Sequence, residues 1–390
     1  MDFGFNGNTK EEFLSFFGEK HLWFWKIVEA VRKAKVELGL TVTDVLVRKD
    51  AVFLGVLKNF FDVFEKVYGE ELSVEADLIK DFVETFCRKV GIFAKSKSFD
   101  FAINCYGYGV FRINSSESAS SPILNVRVLD FRIPDLKDLK CPPYYLSFLE
   151  NELLKEESLS LKELSGEISE VSFCRINRGG LILHAGETGS GKTTFIASEL
   201  QFLADRISGL IVTYEKPVEY RFVGPYSLRV IQYDLDLHLD DKDVYRHFLR
   251  NSPHVGFFYE IRDREDFVKV VDLAGRGHLV FSTVHASDVY EVFSLFGLFD
   301  EKVKQMFLSS LRAIVCHKLI LDKDKGVVPL YEIFVNSESS GPVASLFMKN
   351  EFVKLKTFLY KEKGYEKFYS FTDYERFLVV HQQQAFKRRR

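Results

Sequence analysis

The sequence predicts an α/β chain of two parts, a small N-terminal α+β domain followed by a larger domain built on a parallel sheet. Three observations carry this. First, four short apolar runs recur from residue 180 onward, Gly180-Leu-Ile-Leu-His184, Leu210-Ile-Val-Thr-Tyr214, Val255-Gly-Phe-Phe-Tyr259 and Gly277-His-Leu-Val-Phe-Ser-Thr-Val-His-Ala286, and helical stretches separate them. Short strands without polar alternation, joined by helices, argue for a parallel sheet covered on both faces, which takes its ligands at the carboxyl ends of its strands. Second, the first run leads directly into Gly186-Glu-Thr-Gly-Ser-Gly-Lys-Thr-Thr194, a glycine-rich turn opening a helix. Third, the residues before about 132 mix strand and helix patterns without such strand-end clusters, and a Pro-bounded stretch follows them.

Composition sets the outer bounds. A chain of 390 residues has room for two cores, and 46% hydrophobic residues with 39 Phe against 9 Pro describe a globular protein, not a disordered tail. The net charge of −3 gives no nucleic-acid footprint, so no direct nucleic-acid binding is expected. The one basic block, Lys387-Arg-Arg-Arg390, is expected to be a solvated tail. Cys87, Cys105, Cys141, Cys174 and Cys316 form no Cys-x-x-Cys pair, which indicates neither a zinc knuckle nor a disulfide framework and fits a reducing cytosol. No signal peptide opens the chain and no apolar run is long enough to span a bilayer, so the expectation is a cytoplasmic protein that meets a membrane peripherally, through partners or its surface.

Taken in order, residues 10–38 are expected to form one helix ending at Gly39, with Phe13, Leu14, Phe17, Trp23, Phe24, Ile27, Val28 and Val31 on an aromatic face. That face is expected to pack on its own domain, the alternative being a docking surface for a membrane platform. Strands are expected at 44–48, 52–56, 99–103 and 110–113, and a helix at about 74–90. The polar stretch 114–122 reads as a hairpin tip, 123–132 as a further strand, 133–143 as the linker, and 161–168 as helical. The domain limits are therefore 1–134, a linker at 135–150, and 151–390.

The glycine-rich turn has the chemistry of a phosphate-binding loop. Gly186, Gly189 and Gly191 free the backbone N–H groups of Glu187, Thr188 and Ser190 to point inward, and Lys192 reaches the outer phosphates. Thr193 can ligate Mg²⁺, and Thr194 lies in the first turn of a helix whose positive end favours anions. Hydrolysis needs one carboxylate for the metal shell and another to position water; Glu260 and Glu215, each directly after an apolar run, suit these tasks. His278 and His285, at the two ends of the fourth run, are candidates for contact with the nucleotide.

At this point the sequence resembles the secretion-superfamily hexameric ATPases, which include type IV pilus retraction motors, type II secretion motors and type IV secretion motors. The resemblance rests on the phosphate loop 186–193, Glu215-Lys-Pro-Val-Glu219, Tyr259-Glu-Ile-Arg-Asp263 and Gly277 to Ala286, four motifs in the family's order. It implies a RecA-like P-loop ATPase domain behind a PAS-like N-terminal domain, with ATP and Mg²⁺ bound between domains. It also implies a catalytic set of Glu215, Glu260 and His285, with Glu219 a further acidic group at the nucleotide. Arg112 and Arg132, with Arg127 a weaker third, are implied as arginines that reach the phosphates, and a homo-hexamer and inner-membrane platform proteins as partners. Lys216, His254 and Tyr259 depart from the family pattern. A four-cysteine zinc module and an Arg-Asn motif near Gly341 to Met348 are absent, which favours a type IV secretion or conjugation motor. The alternatives are a pilus retraction motor and a catalytically weak structural ring subunit. Leu164-Ser-Gly-Glu167 hints at a transporter ATPase, but it precedes the phosphate loop, the wrong order for that class.

Overall fold

The computed structural model describes residues 5–7, 9–38, 42–56, 59–61, 64–68, 72–90, 98–105, 108–117, 121–129, 132–162, 168–222, 225–226, 229–235, 239, 241–322, 326–336, 341–361 and 367–378. Gly39, Leu164 to Glu167 and Lys387 to Arg390 lie outside these. The chain divides into two compact units, one of Met1–Ile133 with Pro217–Arg221 and Leu321–Val328, the other of Pro134–Lys216, Phe222–Ile320 and Pro329–Arg390.

The first unit holds β1 (Phe5–Gly7), α1 (Lys10–Phe17), α2 (Leu22–Leu38), β2 (Asp44–Arg48), β3 (Ala51–Val56), β4 (Asn59–Phe61), α3 (Phe64–Tyr68), α4 (Ala76–Val90), β5 (Ser98–Cys105), β6 (Gly109–Glu117) and β7 (Pro122–Leu129). Its sheet runs β1-β5-β6-β7-β2-β3-β4, antiparallel except for the β1–β5 pair at its edge. The expected helix over 10–38 is two helices. Gly18, at φ +95°, caps α1 by donating its N–H to Leu14 O, and a single 3-10 turn precedes α2. A residue with a Cβ resists that conformation, so the break sits at the glycine. Thr9 and Glu12 close a reciprocal capping box at the other end of α1. The aromatic face is core: Phe13, Phe24 and Trp25 are buried with Phe82, Phe86 and Phe111, and Phe17 stacks on Phe82 at 4.8 Å between centroids.

The second unit begins at Pro134, so the stretch expected as a linker packs as structure. In α5 (Pro143–Phe148) the Tyr145 ring is fully buried, and its hydroxyl donates to Glu199 Oε1 at 2.7 Å. A linker would leave such groups in water; here burial of Leu136, Cys141, Tyr145, Phe148 and Leu149 holds the segment down. Of the helix expected at 161–168, residues 163–167 lie outside the described residues, and the three that are described are strand. Residues 161 and 162 end β8 (Leu154–Lys162), and 168 opens β9 (Ile168–Ile176), an antiparallel pair. The alternating Ser, Leu and Val residues of this stretch fit a two-residue period as well as a helical one, and cross-strand pairing decides between them.

After this hairpin come β10 (Gly180–Ala185), α6 (Lys192–Ala204), β11 (Ile211–Glu215), β12 (Val230–Asp234), α7 (Val244–Asn251), β13 (Val255–Phe258), α8 (Arg264–Gly275), β14 (Leu279–Val284), α9 (Val289–Phe296), α10 (Glu301–Ser310), β15 (Leu311–Asp322), β16 (Gly326–Val335), α11 (Pro342–Met348), α12 (Phe352–Tyr360) and β17 (Phe368–Tyr369). The sheet order is β12-β11-β13-β14-β10-β15-β16-β17, and every pair from β12 through β15 is parallel. Strands β10, β11 and β14 are buried along their whole length, as their largely apolar sequences without polar alternation predict.

Candidate functional site: a phosphate loop at the carboxyl edge of the sheet

The loop between β10 and α6 takes its shape from its glycines. Gly186, Gly189 and Gly191 sit at φ +148°, +82° and +94°, values that L side chains rarely adopt. At Gly186 a Cβ would lie 2.5 Å from Ser190 Oγ and 2.7 Å from His317 O, so the turn also requires the missing side chain. The chain turns back through a Ser190 N–H bond to Glu187 O and enters α6 with the Phe195 N–H bond to Gly191 O. Glu187 and Thr188 are exposed, while Thr193 and Thr194 are half-buried in the first turn. Lys192 folds over the loop, its Nζ donating to Gly186 O at 2.6 Å and to Glu187 O at 2.9 Å. Ser190 Oγ is buried without a hydrogen-bond partner among the described residues. Such an orphaned hydroxyl beside a glycine cradle and a cation fits a polyphosphate, whose oxygens accept from all three.

Register places the remaining candidates. Ala185 pairs with Val284, Phe258 with Ser282 and Tyr214 with Phe258, so Gly186, His285, Glu260 and Glu215 all emerge at the same edge of the sheet. Laterally they are graded. With strands about 4.8 Å apart, β14 lies one spacing from β10, β13 roughly 10 Å away and β11 roughly 14 Å away. Glu260 is largely shielded, its Oε1 meeting His285 Nε2 at 2.7 Å and its Oε2 accepting from Arg262 Nε at 3.2 Å. Arg262 also lies over the Tyr259 ring, 5.2 Å from its centroid. Glu215 is buried, and its Oε1 accepts from Thr213 Oγ1 at 2.6 Å and Gln232 Nε2 at 3.1 Å.

His278 requires a correction. It precedes β14 and stands at the opposite edge of the sheet from His285, since Gly180 pairs with Leu279. The six residues of β14 lie between the two histidines, and seven steps of about 3.3 Å put roughly 23 Å between them. His278 Nδ1 instead lies 2.6 Å from Pro253 O, and its ring stands edge-on to Phe248, a local tie at the base of β13. His254 is structural too, its Nδ1 accepting from Leu210 N–H.

The arginines belong to the first unit. Arg112 on β6 lies opposite Arg127 on β7, and Arg112 NH1 donates to Glu219 Oε1 at 2.6 Å, Glu219 being part of the segment 217–221 that clusters with this unit. Arg132 lies beyond the end of β7, exposed.

One cluster escaped the sequence reading. His184 on β10 and His317 on β15 face each other, Nδ1 to Nε2 at 2.8 Å, and His184 Nε2 lies 2.9 Å from Glu199 Oε2 on α6. The second contact is close enough for an ion pair, but both atoms lack an aligned hydrogen bond. Burial, with His184 and Lys192 nearby, pushes the His317 imidazole well below its usual range. The available signal was a histidine closing an otherwise apolar strand.

Among the described residues no cluster of three or more His, Cys, Asp and Glu side chains could hold a metal, and no helix is long and apolar enough to cross a membrane. Glycine cradle, lysine and strand-end carboxylates on a parallel sheet with this strand order define a P-loop ATPase. The chain belongs to the Type II/IV secretion system protein family, whose profile matches residues 123–383. It is 28% identical over 271 residues to the uncharacterized protein YggR of Escherichia coli, covering 68% of this chain and 74% of that one. It is 27% identical over 285 residues to the type IV pilus ATPase PilU of Pseudomonas aeruginosa, covering 71% and 67%. Among solved structures it shares a fold with the pilus retraction motor PilT with bound ADP (TM-score 0.62, 24% identity, 85% of this chain and 88% of that one). The Legionella pneumophila ATPase DotB is similar in fold to the same degree (TM-score 0.62, 17% identity, 89% and 88%).

Proposed function

We propose that the chain is a ring-forming motor, most simply a homo-hexamer, that hydrolyses ATP with Mg²⁺ to drive a membrane-spanning pilus machine, with pilus retraction as the favoured task. The observation that carries hydrolysis is the glycine cradle with Lys192 beside two strand-end carboxylates at one sheet edge. The retraction task draws support from the names of relatives. PilU, and the type IV pilus retraction ATPase PilT of Pseudomonas aeruginosa at 31% identity over 196 residues, are both pilus ATPases. This moves the weight from the type IV secretion reading, which rested on two absent motifs, to its pilus alternative. In such a motor the chain acts in the cytoplasm against inner-membrane platform proteins.

In the working site Lys192 leaves the carbonyls of Gly186 and Glu187 and donates to the outer phosphates, while the loop N–H groups and Ser190 Oγ hold the remaining oxygens. Thr193 and Glu260 would hold Mg²⁺, hard oxygen donors of the type it takes, with waters and substrate completing its shell. The ion supplies charge neutralisation at the phosphate oxygens. Glu215 orients the attacking water, His285 turns from Glu260 towards the terminal phosphate, and Arg112 and Arg132 bring guanidinium charge to it once Arg112 releases Glu219. Hydrolysis then resets the arrangement of the two units, and that motion is the output.

The test is ATPase activity across a sizing column with Mg²⁺ present, wild type beside Lys192→Ala. Turnover confined to a ring-sized fraction and lost in the variant together with ADP binding is the expected result. Rings that bind ATP without turning it over point to the structural-subunit alternative. Restoration of twitching in a retraction-deficient host separates a retraction motor from an export motor.

A further inference from the structure

Beneath the phosphate loop runs a chain of ionisable side chains that nucleotide hydrolysis does not require. Tyr145 OH donates to Glu199 Oε1 at 2.7 Å, Glu199 Oε2 meets His184 Nε2 at 2.9 Å, and His184 Nδ1 meets His317 Nε2 at 2.8 Å. Tyr145, Glu199 and His184 are wholly buried and His317 is 3% exposed. Such groups are costly to bury unless their positions matter or the cost is offset nearby.

The chain ends on the loop from both sides. His184 is two residues before Gly186, and Cys316 pairs with Ala185, which brings His317 level with Gly186. The His317 carbonyl is the backbone atom that a Cβ at Gly186 would strike at 2.7 Å. Glu199 stands seven residues after Lys192 on α6, about two turns on the same face. One network therefore ties together the strand that enters the loop, the helix that leaves it and the neighbouring strand that backs its first glycine.

Hydrogen positions follow from the chemistry. Two ring nitrogens 2.8 Å apart need one proton between them. With Glu199 as carboxylate, the His184 Nε2–H lies on its side; a neutral His184 then accepts at Nδ1 from His317 Nε2–H, whereas an imidazolium at His184 donates Nδ1–H to His317 instead. The two states differ by one proton. Groups facing the pair are Glu199 and Lys192 from α6, Tyr145 from α5 and Tyr331 from β16, with Cys141 beside Glu199. Burial first, then the neighbouring His184 and Lys192, oppose an extra proton on His317, and negative charge on the loop offsets the Lys192 share.

We propose that His184, which meets Glu199, and His317, which meets His184, are positioning residues for the phosphate loop, and that proton uptake at His317 is linked to the charge the loop holds. The reading rests on the loop binding a nucleotide: wild type that binds no ADP overturns that premise and the proposal with it, whereas wild type that binds ADP without gaining affinity on acidification overturns the proposal alone. By linkage, a group whose proton is favoured in the bound state strengthens binding as pH falls. The experiment measures fluorescent-ADP affinity from pH 5.5 to 8.5 for wild type, His317→Gln and His317→Leu, with thermal unfolding as the fold check. The Gln amide keeps a polar partner for His184 without titrating, and ADP's own phosphate titration is common to all three proteins.

The expected result is an affinity loss of about ten-fold for His317→Leu, which leaves His184 Nδ1 unpartnered. His317→Gln should restore affinity to within about three-fold at pH 8, where a neutral amide replaces a neutral ring. It should also lose the wild type's gain on acidification. A Gln variant with the wild-type pH profile, or a folded Leu variant with wild-type affinity, overturns the proposal. Should His317→Leu not fold, the Gln profile decides. Calorimetry of ADP binding to wild type and His317→Gln, in two buffers of different ionisation heat, reads the linked proton directly; equal uptake by both proteins also overturns the proposal.

Discussion

Replacing Gly186 by Ala tests the loop geometry more sharply than removing Lys192, because its magnitude follows from the structure. At φ +148° a side chain pays conformational strain of about 1–3 kcal/mol. The new Cβ would also meet Ser190 Oγ at 2.5 Å and the His317 carbonyl at 2.7 Å. The carbonyl is strand backbone and cannot swing aside, so overpacking adds about 1–3 kcal/mol. Gly191 is the internal control. Its φ is +94°, but the nearest atom to a Cβ there is Leu319 Cδ2 at 4.0 Å, so Gly191→Ala carries strain without a clash. The combined cost of about 2–6 kcal/mol at Gly186 emerges as lower stability, as a displaced loop, or as both. A loop displaced at a cost of about 2 kcal/mol weakens ADP binding roughly 30-fold. Urea unfolding reads the first effect and fluorescent-ADP titration the second. Gly186→Ala is expected to sum to clearly more than Gly191→Ala. Equal sums for the two variants, or wild-type values for Gly186→Ala, refute the argument from close approach.

Two further substitutions separate the roles of neighbouring groups. Glu215→Gln keeps an acceptor for Thr213 and Gln232, so the fold and ADP affinity should hold while turnover falls by a factor on the order of a hundred. Full turnover would transfer the water-orienting role to Glu260, which lies one strand spacing nearer the loop. Glu332 on β16 accepts from the Val289 N–H at the start of α9 and from Tyr360 OH, and burial pushes its carboxyl up to about 7. The folded state then holds a proton that the unfolded state releases above its ordinary 4.5, so stability falls as pH rises from about 4.5 to 7 and levels off beyond. The change is about 3 kcal/mol. Glu332→Gln should flatten that slope in thermal unfolding between pH 5 and 8, and an unchanged slope would assign it to other groups.

The main features of the second unit were legible in the residues. Four apolar runs with polar ends announce parallel strands, and the glycine spacing with Lys192 and Thr193 announces the loop, because both signals are local. Local pattern also misled. The Ser and Leu residues of 154–162 carry two periods at once, and only pairing with 168–176 selects the strand. A single helix over 10–38 ignores that Gly18 is free to turn at a point where the aromatic side chains of α1 and α2 need separate directions to reach Phe82.

The sequence by itself determined that this chain binds a polyphosphate, since loop chemistry depends on neighbours within nine residues. It could not rank the two carboxylates or the two histidines. His278 and His285 are equivalent as letters flanking one apolar run, yet strand direction sends them to opposite edges of the sheet. Nor could it show that His184, Glu199 and His317, spread over more than a hundred residues, meet beneath the loop. Long-range register between β10 and β15 makes that meeting, and register arises from the packing of a whole sheet, which no short stretch encodes.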